Sequence, residues 1–289
     1  MTLNLAQRRA HPLAVALLVL YTLLVLAPIG WMLITSFKQP SDIADTTPGF
    51  IPQLAQTAPP PHYFRATLRN YTDFFTDGKV PRYLFNSVFI AGVTTVASVL
   101  LGAFAAYGFS RFRIAGSSDW QFFILSTRML PAMAVSVPIS WMYARLGLMD
   151  THFGLILLYT CFNLSFSTWM MKAFIDEIPT AYEEAALLDG YSRTQVLFRI
   201  ILPQAATGIM ATAVFCLIAA WNEYAFAVTL TSSSAVTLPV HIAAIAAEPR
   251  PPTGRLAAGA VMFMLPIVAF SILMRKHLLR GVTFGAVKG

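Results

Sequence analysis

Ile178-Pro-Thr-Ala-Tyr-Glu-Glu-Ala-Ala-Leu-Leu-Asp-Gly190-Tyr-Ser-Arg-Thr-Gln-Val-Leu-Phe-Arg-Ile-Ile-Leu-Pro203 is a polar island in a strongly apolar chain. Its local chemistry predicts two short helices joined by a turn. Thr180 and Glu183 stand three residues apart, as in a capping box, and Gly190 suits the left-handed stop that ends a helix. Ser192 and Gln195 repeat the capping pattern, and Pro203 pushes Leu202 out of helical geometry. Ala185 and Ala186 keep one face of the first helix small, so that a partner's surface can come close to its backbone. A short helix fixed between two membrane spans can act as a lever. An amphipathic helix lying on the membrane surface fits the same residues, and the helix chemistry alone leaves both readings open.

On either side of this island the chain turns apolar. Of its 289 residues, 57% are hydrophobic and 11% charged, and the mean hydropathy is +0.64. Soluble globular chains carry about 25% charged residues, so the composition specifies an integral membrane protein. A bilayer core needs about 20 apolar residues per helix. Six stretches qualify, at roughly 13–36, 83–110, 120–144, 153–174, 207–231 and 257–276. The first runs uncharged from Leu13 to Phe37, beyond the ~7–15 residues of a cleaved signal's apolar region, and is read as a retained span. Arg8-Arg9, Arg111/Arg113 and Arg275-Lys276 flank spans on one side, which places both termini in the cytoplasm.

The expected division follows. A cytoplasmic N-terminus (1–12) precedes the first helix (13–36), and an extracytoplasmic loop (37–82) leads to a core (83–280) that contains the polar loop at 175–206. A short cytoplasmic tail (281–289) closes the chain. Pro48, Pro52 and Pro59-Pro60-Pro61, with no helical period, mark 37–82 as extended and irregular. Ser232-Ser233-Ser234 and Glu248-Pro-Arg-Pro-Pro252 mark a second outer loop at 232–256. The net charge of +7 comes without a basic block interleaved with aromatics, which points to membrane topology rather than nucleic acid. Cys161 and Cys216 lie in apolar runs, against a disulfide framework or a cysteine metal site. No G-x-x-x-x-G-K-[ST], H-E-x-x-H or G-x-S-x-G occurs, and the five histidines are scattered. The chain is therefore read as a non-enzyme whose energy comes from a partner.

Glu184-Ala-Ala-Leu-Leu-Asp-Gly190 followed by Ile200-Ile-Leu-Pro203 resembles the EAA loop of ABC importer permeases. Asn86-Ser87, Ala106-Tyr107, Trp169, Phe174, Trp221-Asn-Glu-Tyr224 and Gly285-Ala-Val-Lys-Gly289 resemble the second permease of maltose-type carbohydrate importers, over nearly the whole chain from about residue 80. The resemblance implies an all-α polytopic fold of six transmembrane helices, the type I ABC importer transmembrane domain, in a bacterial inner membrane. Its implied partners are a second homologous permease, two ATPase subunits that use ATP and Mg, an extracytoplasmic solute-binding protein and membrane lipid. No cofactor is implied for this chain. By position, Glu183, Glu184, Ala185, Ala186, Asp189 and Gly190 would contact the ATPase. The tail at 285–289 would reach the ATPase dimer interface, and 232–256 would meet the binding protein. Two positions depart from the family pattern: Thr207, where proline is common, predicts a straighter start to span five, and Tyr191 presents a bulkier contact to the ATPase.

Two charged residues fall inside spans away from their ends, Arg128 and Glu223, and such groups are functional candidates by default. Trp221-Asn222-Glu223-Tyr224 offers an aromatic face beside an amide and a carboxylate, a combination that suits sugar recognition; structural packing of Glu223 against a neighbouring helix fits equally. Arg128 is read as lining the translocation path and favouring an anionic or strongly polar substrate, with snorkelling or pairing to helix-end carbonyls as the alternative. Counted along straight helices, the two differ in depth by about 12 Å, which argues against a direct ion pair. Pro131 and Pro138 interrupt span three, and Pro28 the first. The function expected is import of a sugar, polyol or glycoside. An ion-coupled secondary carrier, which would work without an ATPase, and an importer of the same class for a non-carbohydrate solute are the alternatives.

Overall fold

The computed structural model describes residues 11–45, 49–53 and 62–284, with side chains described as far as 274. Arg8-Arg9, Pro48, Pro59-Pro60-Pro61 and the tail from Gly285 to Gly289 lie outside the described residues, as do the side chains of Arg275 and Lys276. The helices are α1 (Pro12–Ser36), α2 (Pro40–Ile43), α3 (Arg69–Thr76), α4 (Val80–Arg111), α5 (Ser117–Ser126), α6 (Ala132–Leu146), α7 (His152–Asp176), α8 (Ala181–Leu188), α9 (Arg193–Val196), α10 (Leu202–Gln204), α11 (Ala206–Trp221), α12 (Ala225–Leu230), α13 (Leu238–Ala246) and α14 (Thr253–Phe284). A 3-10 turn at Thr127–Met129 continues α5, and a π-helical turn at Leu197–Ile201 joins α9 to α10.

Four helices are long and apolar enough to cross a bilayer: Pro12–Ser36, Val80–Arg111, His152–Asp176 and Thr253–Met274. Two bent pairs bring the spans to six. At 1.5 Å per residue, a 25-residue helix such as α7 reaches about 38 Å, enough for a hydrocarbon core of about 30 Å. The chain divides into two compact units: residues up to Asp77 with Ile245–Met262, and Gly78–Ala244 with the chain from Phe263 onward.

In the first unit, the described part of the segment after α1 carries regular structure that its prolines do not predict. Strands β1 (Ile51–Gln53) and β2 (Tyr63–Arg65) pair in parallel, Ile51 opposite Tyr63. Arg65 closes an ion pair with Asp42 at 2.7 Å. Asn70, buried at the start of α3, donates to the carbonyls of Ser36 (2.9 Å) and Lys38 (2.8 Å). These polar ties supply order where hydrophobic periodicity is missing, so the periodic signal alone could not reveal it.

In the second unit the core forms where α4 meets α7 and α11. Along α4 the buried positions Thr94, Ser98, Gly102 and Ala106 recur every four residues, a stripe of small side chains that lets helix backbones approach closely without help from water. The tightest point is Gly102. A β-carbon there would overlap the side chain of Ser167 on α7. Further out, Ile90, Ala91, Leu155, Leu158, Tyr159 and Trp221 form one apolar cluster, and Ala106, Met171, Ile175, Val196 and Ile201 form a second.

Spans three and five are broken, and each break has a chemical cause. Pro131 lacks an N–H and disfavours helix at Leu130, whose ψ of 125° is extended, so the span bends by 91° between Met129 and Ala132. Pro138 and Pro28, also expected to interrupt, stay inside continuous helices. Span five does not run unbroken from 207 to 231. Asn222 Nδ2 donates to the Ile218 carbonyl (2.8 Å) at the end of α11. One residue later Glu223 Oε1 accepts the Phe226 N–H (2.8 Å) at the start of α12. Polar side chains satisfy both new helix ends.

Candidate functional site

The polar loop folds as two short helices about a left-handed turn, with Gly190 at φ +87°. Gly190 N–H donates to Leu187 O (3.1 Å) and Tyr191 N–H to Ala186 O (3.0 Å), the paired bonds of a Schellman stop. The Ser192–Gln195 capping box is present in full. The Thr180–Glu183 box is not, because Thr180 makes no side-chain cap bond and Glu183 is engaged elsewhere. Nor does Pro203 expel Leu202 from the helix: Leu202 keeps φ −61°, ψ −42°. The preceding π-helical turn widens the coil where the proline ring would otherwise meet a carbonyl. The chain turns instead at Ala205, by 77°, so the start of span five is sharply bent rather than straightened by Thr207.

Glu183 faces inward. It pairs with Arg111 at the end of α4, both side chains being only 7% exposed, and accepts the Tyr107 hydroxyl (3.1 Å). Arg111 also donates to the carbonyls of Ile175 (3.0 Å) and Ile178 (2.7 Å). One guanidinium thus binds the ends of α4 and α7 to α8, while Ser110 and Lys172 hold Asp176 at 2.5 and 2.6 Å. Ala186 is buried in the same core, so its small size serves packing within this chain. Glu184, Ala185, Asp189 and Gly190 are exposed, and Leu188 is 90% exposed. The expected six-residue face therefore divides into two inward and four outward positions, with Leu188 as an apolar addition. Sequence reasoning had Arg111 only as a topological charge. In the sequence it stands beside Arg113 at a helix end, 72 residues from the carboxylate it meets.

The Trp221–Tyr224 cluster separates. Trp221 is buried, stacked on Phe263 with centroids 5.6 Å apart, and donates to the Phe263 carbonyl (3.2 Å). It lines an apolar cavity with Val88, Leu217 and Pro266. Asn222 is turned to its own helix. Tyr224 is exposed. Glu223 alone of the four lines a cavity of about 290 Å³ with Arg128, Ala132, Tyr159, Asn163 and Phe226. No ion pair joins Arg128 to Glu223 among the described residues. The guanidinium lies 5.1 Å from the Phe166 ring. Straight-helix counting did not foresee the shared cavity, because the 91° bend redirects the chain just past Arg128.

A third cluster, unseen in the sequence, fixes the opposite end of this unit. Asp150, at φ +54°, accepts backbone N–H bonds from Ser232 (3.1 Å), Ser233 (3.1 Å), Ser234 (2.8 Å) and Ala235 (3.1 Å), and the Ser233 hydroxyl (2.7 Å). Asn86 donates to Ser234 O and Val236 O and meets His152 at 2.7 Å. Burial raises the Asp150 carboxyl, but the N–H donors outweigh it and hold it well below the usual range. With its folded-state value depressed, this group's stabilisation is fully present above about pH 4 and is lost as pH falls through the folded-state value. Asp150→Asn is expected to lower stability by about 2 kcal/mol at pH 7. The difference from wild type should narrow on acidification below pH 4, followed by thermal unfolding in detergent. Equal stability at pH 7 would refute the assignment.

Comparison with known proteins places this geometry. The family described as "Binding-protein-dependent transport system inner membrane component" matches residues 98–282. The inner membrane ABC transporter permease protein YcjP of Escherichia coli (strain K12) is 34% identical, covering 94% of this chain and 94% of its own length. The trehalose transport system permease protein SugB of Mycobacterium tuberculosis (strain CDC 1551 / Oshkosh) is 35% identical over 94% of this chain and 96% of its own. A solved chain of a bacterial ABC transporter involved in import of the acidic polysaccharide alginate has a TM-score of 0.74 at 22% identity, covering 91% of this chain and 94% of that one. That last likeness is one of fold.

Proposed function

The chain belongs to the family of binding-protein-dependent transport system inner membrane components, and from that membership we propose that it serves as one of two permeases in an importer of a sugar, polyol or glycoside. As a multi-pass permease subunit of an ABC importer it forms part of a solute path and does not itself supply the energy. The finer reading assigns it a second, homologous permease, two ATPase subunits that use ATP and Mg, an extracytoplasmic binding protein, and both termini in the cytoplasm. The carbohydrate class is supported by the name of the trehalose relative and by the motifs that flank the EAA loop.

One observation carries the mechanical part. α8 buries Glu183 and Ala186 and presents Glu184, Ala185, Leu188 and Asp189 outward. This outer face, with Leu188 exposed at 90% and Tyr182 at 54%, is assigned to the ATPase partner. Anchored by Arg111 to α4 and α7, such a helix passes a push on its outer face into two spans. ATP and the loaded binding protein would together favour an outward-facing state, and hydrolysis would reset it, each ligand acting through its differential affinity for the two states. The cavity of Arg128 and Glu223 is assigned to the solute path.

Affinity purification of the tagged chain in mild detergent tests the assembly. A second permease and an ATPase at two copies per complex are expected. Recovery of the chain alone, still transporting in liposomes without ATP, would make it a secondary carrier instead.

A further inference from the structure

Resting on the assignment of the Arg128–Glu223 cavity to the solute path, we infer that this cavity is a subsite for a sugar acid, with the solute's carboxylate at Arg128 and a ring hydroxyl at Glu223. Four features of the cavity carry this.

The positive end is built twice over. Arg128 lines the cavity and forms no ion pair with a described carboxylate. Three residues on, the break at Pro131 starts α6 inside the same wall: Ala132 is both its first residue and a lining residue. Pro131 contributes no side-chain cap, and no described group accepts from the N–H of Ala132 or Met133. The N-terminus of a 15-residue helix, with its free N–H groups and positive end, thus borders the same cavity as Arg128. Such an end binds anions, and arginine holds a carboxylate by two parallel bonds.

Glu223 lines the same cavity without an ion pair to Arg128 among the described residues. Its Oε1 accepts the Phe226 N–H at the start of α12 and the Ala225 N–H also bonds the carboxylate, whose remaining lone pairs can accept a hydroxyl. Like-charge repulsion keeps a solute's carboxylate away from that side, so the two ends of the cavity fix the direction in which a sugar acid lies.

Tyr159 is 3% exposed and lines the same cavity, with its hydroxyl buried and without a hydrogen-bond partner. Buried hydroxyls without partners are uncommon. A polar solute in the cavity supplies what this one lacks.

Apart from Asn163 the remaining wall is apolar, with Phe162 and Phe226 in contact at 4.9 Å, a surface suited to the C–H face of a sugar ring. The volume, about 290 Å³, lies at the small end of ligand cavities and suits one sugar unit. A neutral sugar would leave the guanidinium without a directly paired carboxylate, whereas a sugar acid supplies one by two parallel bonds.

The test uses the complete importer, with this chain and all its partner subunits, in liposomes. ATP-driven uptake is measured for a labelled panel of hexoses, hexuronates and disaccharides of each. We expect a uronate-containing solute to be carried, Arg128→Gln to reduce its uptake about 10- to 100-fold, and Arg128→Lys to retain most of it. Copurification of the partners reports that each variant assembles. If Arg128→Gln does not assemble, Arg128→Met, of similar reach, takes its place. Uptake confined to neutral sugars, or uronate uptake indifferent to Arg128, overturns the sugar-acid subsite and leaves the carbohydrate importer standing. ATP-driven uptake of no member of the panel overturns the carbohydrate reading itself.

Discussion

Arg111→Ala is expected to lose ATP-driven transport and much of the stability of the inner end of the bundle. The pair it forms with Glu183 is buried on both sides. Removing one partner of such a pair costs about 3–5 kcal/mol, because the other charge stays buried without compensation. Here the loss is compounded, since the same guanidinium satisfies the carbonyls of Ile175 and Ile178 at the end of α7. Thermal unfolding of the purified chain and ATP-driven uptake by the assembled importer read the two effects separately. The double variant Arg111→Met/Glu183→Leu removes both charges and should recover a large part of the stability. If it also recovers coupled transport, the pair is only a fold element and has no part in transmitting force.

The second large effect is expected at Gly190. Its φ of +87° is one that residues with a β-carbon avoid, and a β-carbon placed there would meet nothing within 4 Å. Gly190→Val therefore strains only the backbone, by roughly 1–3 kcal/mol for a left-handed β-branched residue, without a clash that unfolds the loop. The strain is relieved by rotating the turn that aligns α8 with α9. The protein should still insert and assemble, yet uptake per ATP hydrolysed should fall. A coupling free energy of about 1–3 kcal/mol corresponds to some 5- to 150-fold. Asparagine tolerates the left-handed region, so Gly190→Asn should be much milder. Normal coupled uptake by Gly190→Val would sink the lever mechanism.

These two positions were not equally visible beforehand. Gly190 is a local signal: a glycine behind a helical run, ahead of a Ser–Gln capping pair, fixes a turn through bonds that span a few residues. The same locality made the Ser192–Gln195 box legible. It failed for Thr180–Glu183, where a capping box and a buried ion pair both want the same carboxylate. Arg111 offers that carboxylate a charge partner in a dry site, and a charge-assisted bond there outweighs a bond to a helix-end N–H at the surface. The Trp221–Tyr224 cluster failed for a related reason. Adjacency in sequence became opposite directions in space once Asn222 and Glu223 broke the helix between them.

The sequence by itself determined that the chain is a membrane protein, which apolar stretches are long enough to cross a bilayer, and that a polar loop lies between the fourth and fifth. Composition, run length and turn residues act locally, and a single chain carries them in full view. Only the tertiary structure decided which way each side chain of that loop points, that Asp150 holds the turn at Ser232–Ala235, and that Arg128 and Glu223 face one cavity. Each of these depends on a helix break or on a partner dozens of residues away. The free energy that selects them, the satisfaction of buried polar groups where no water is at hand, is a property of the packed chain and not of any segment.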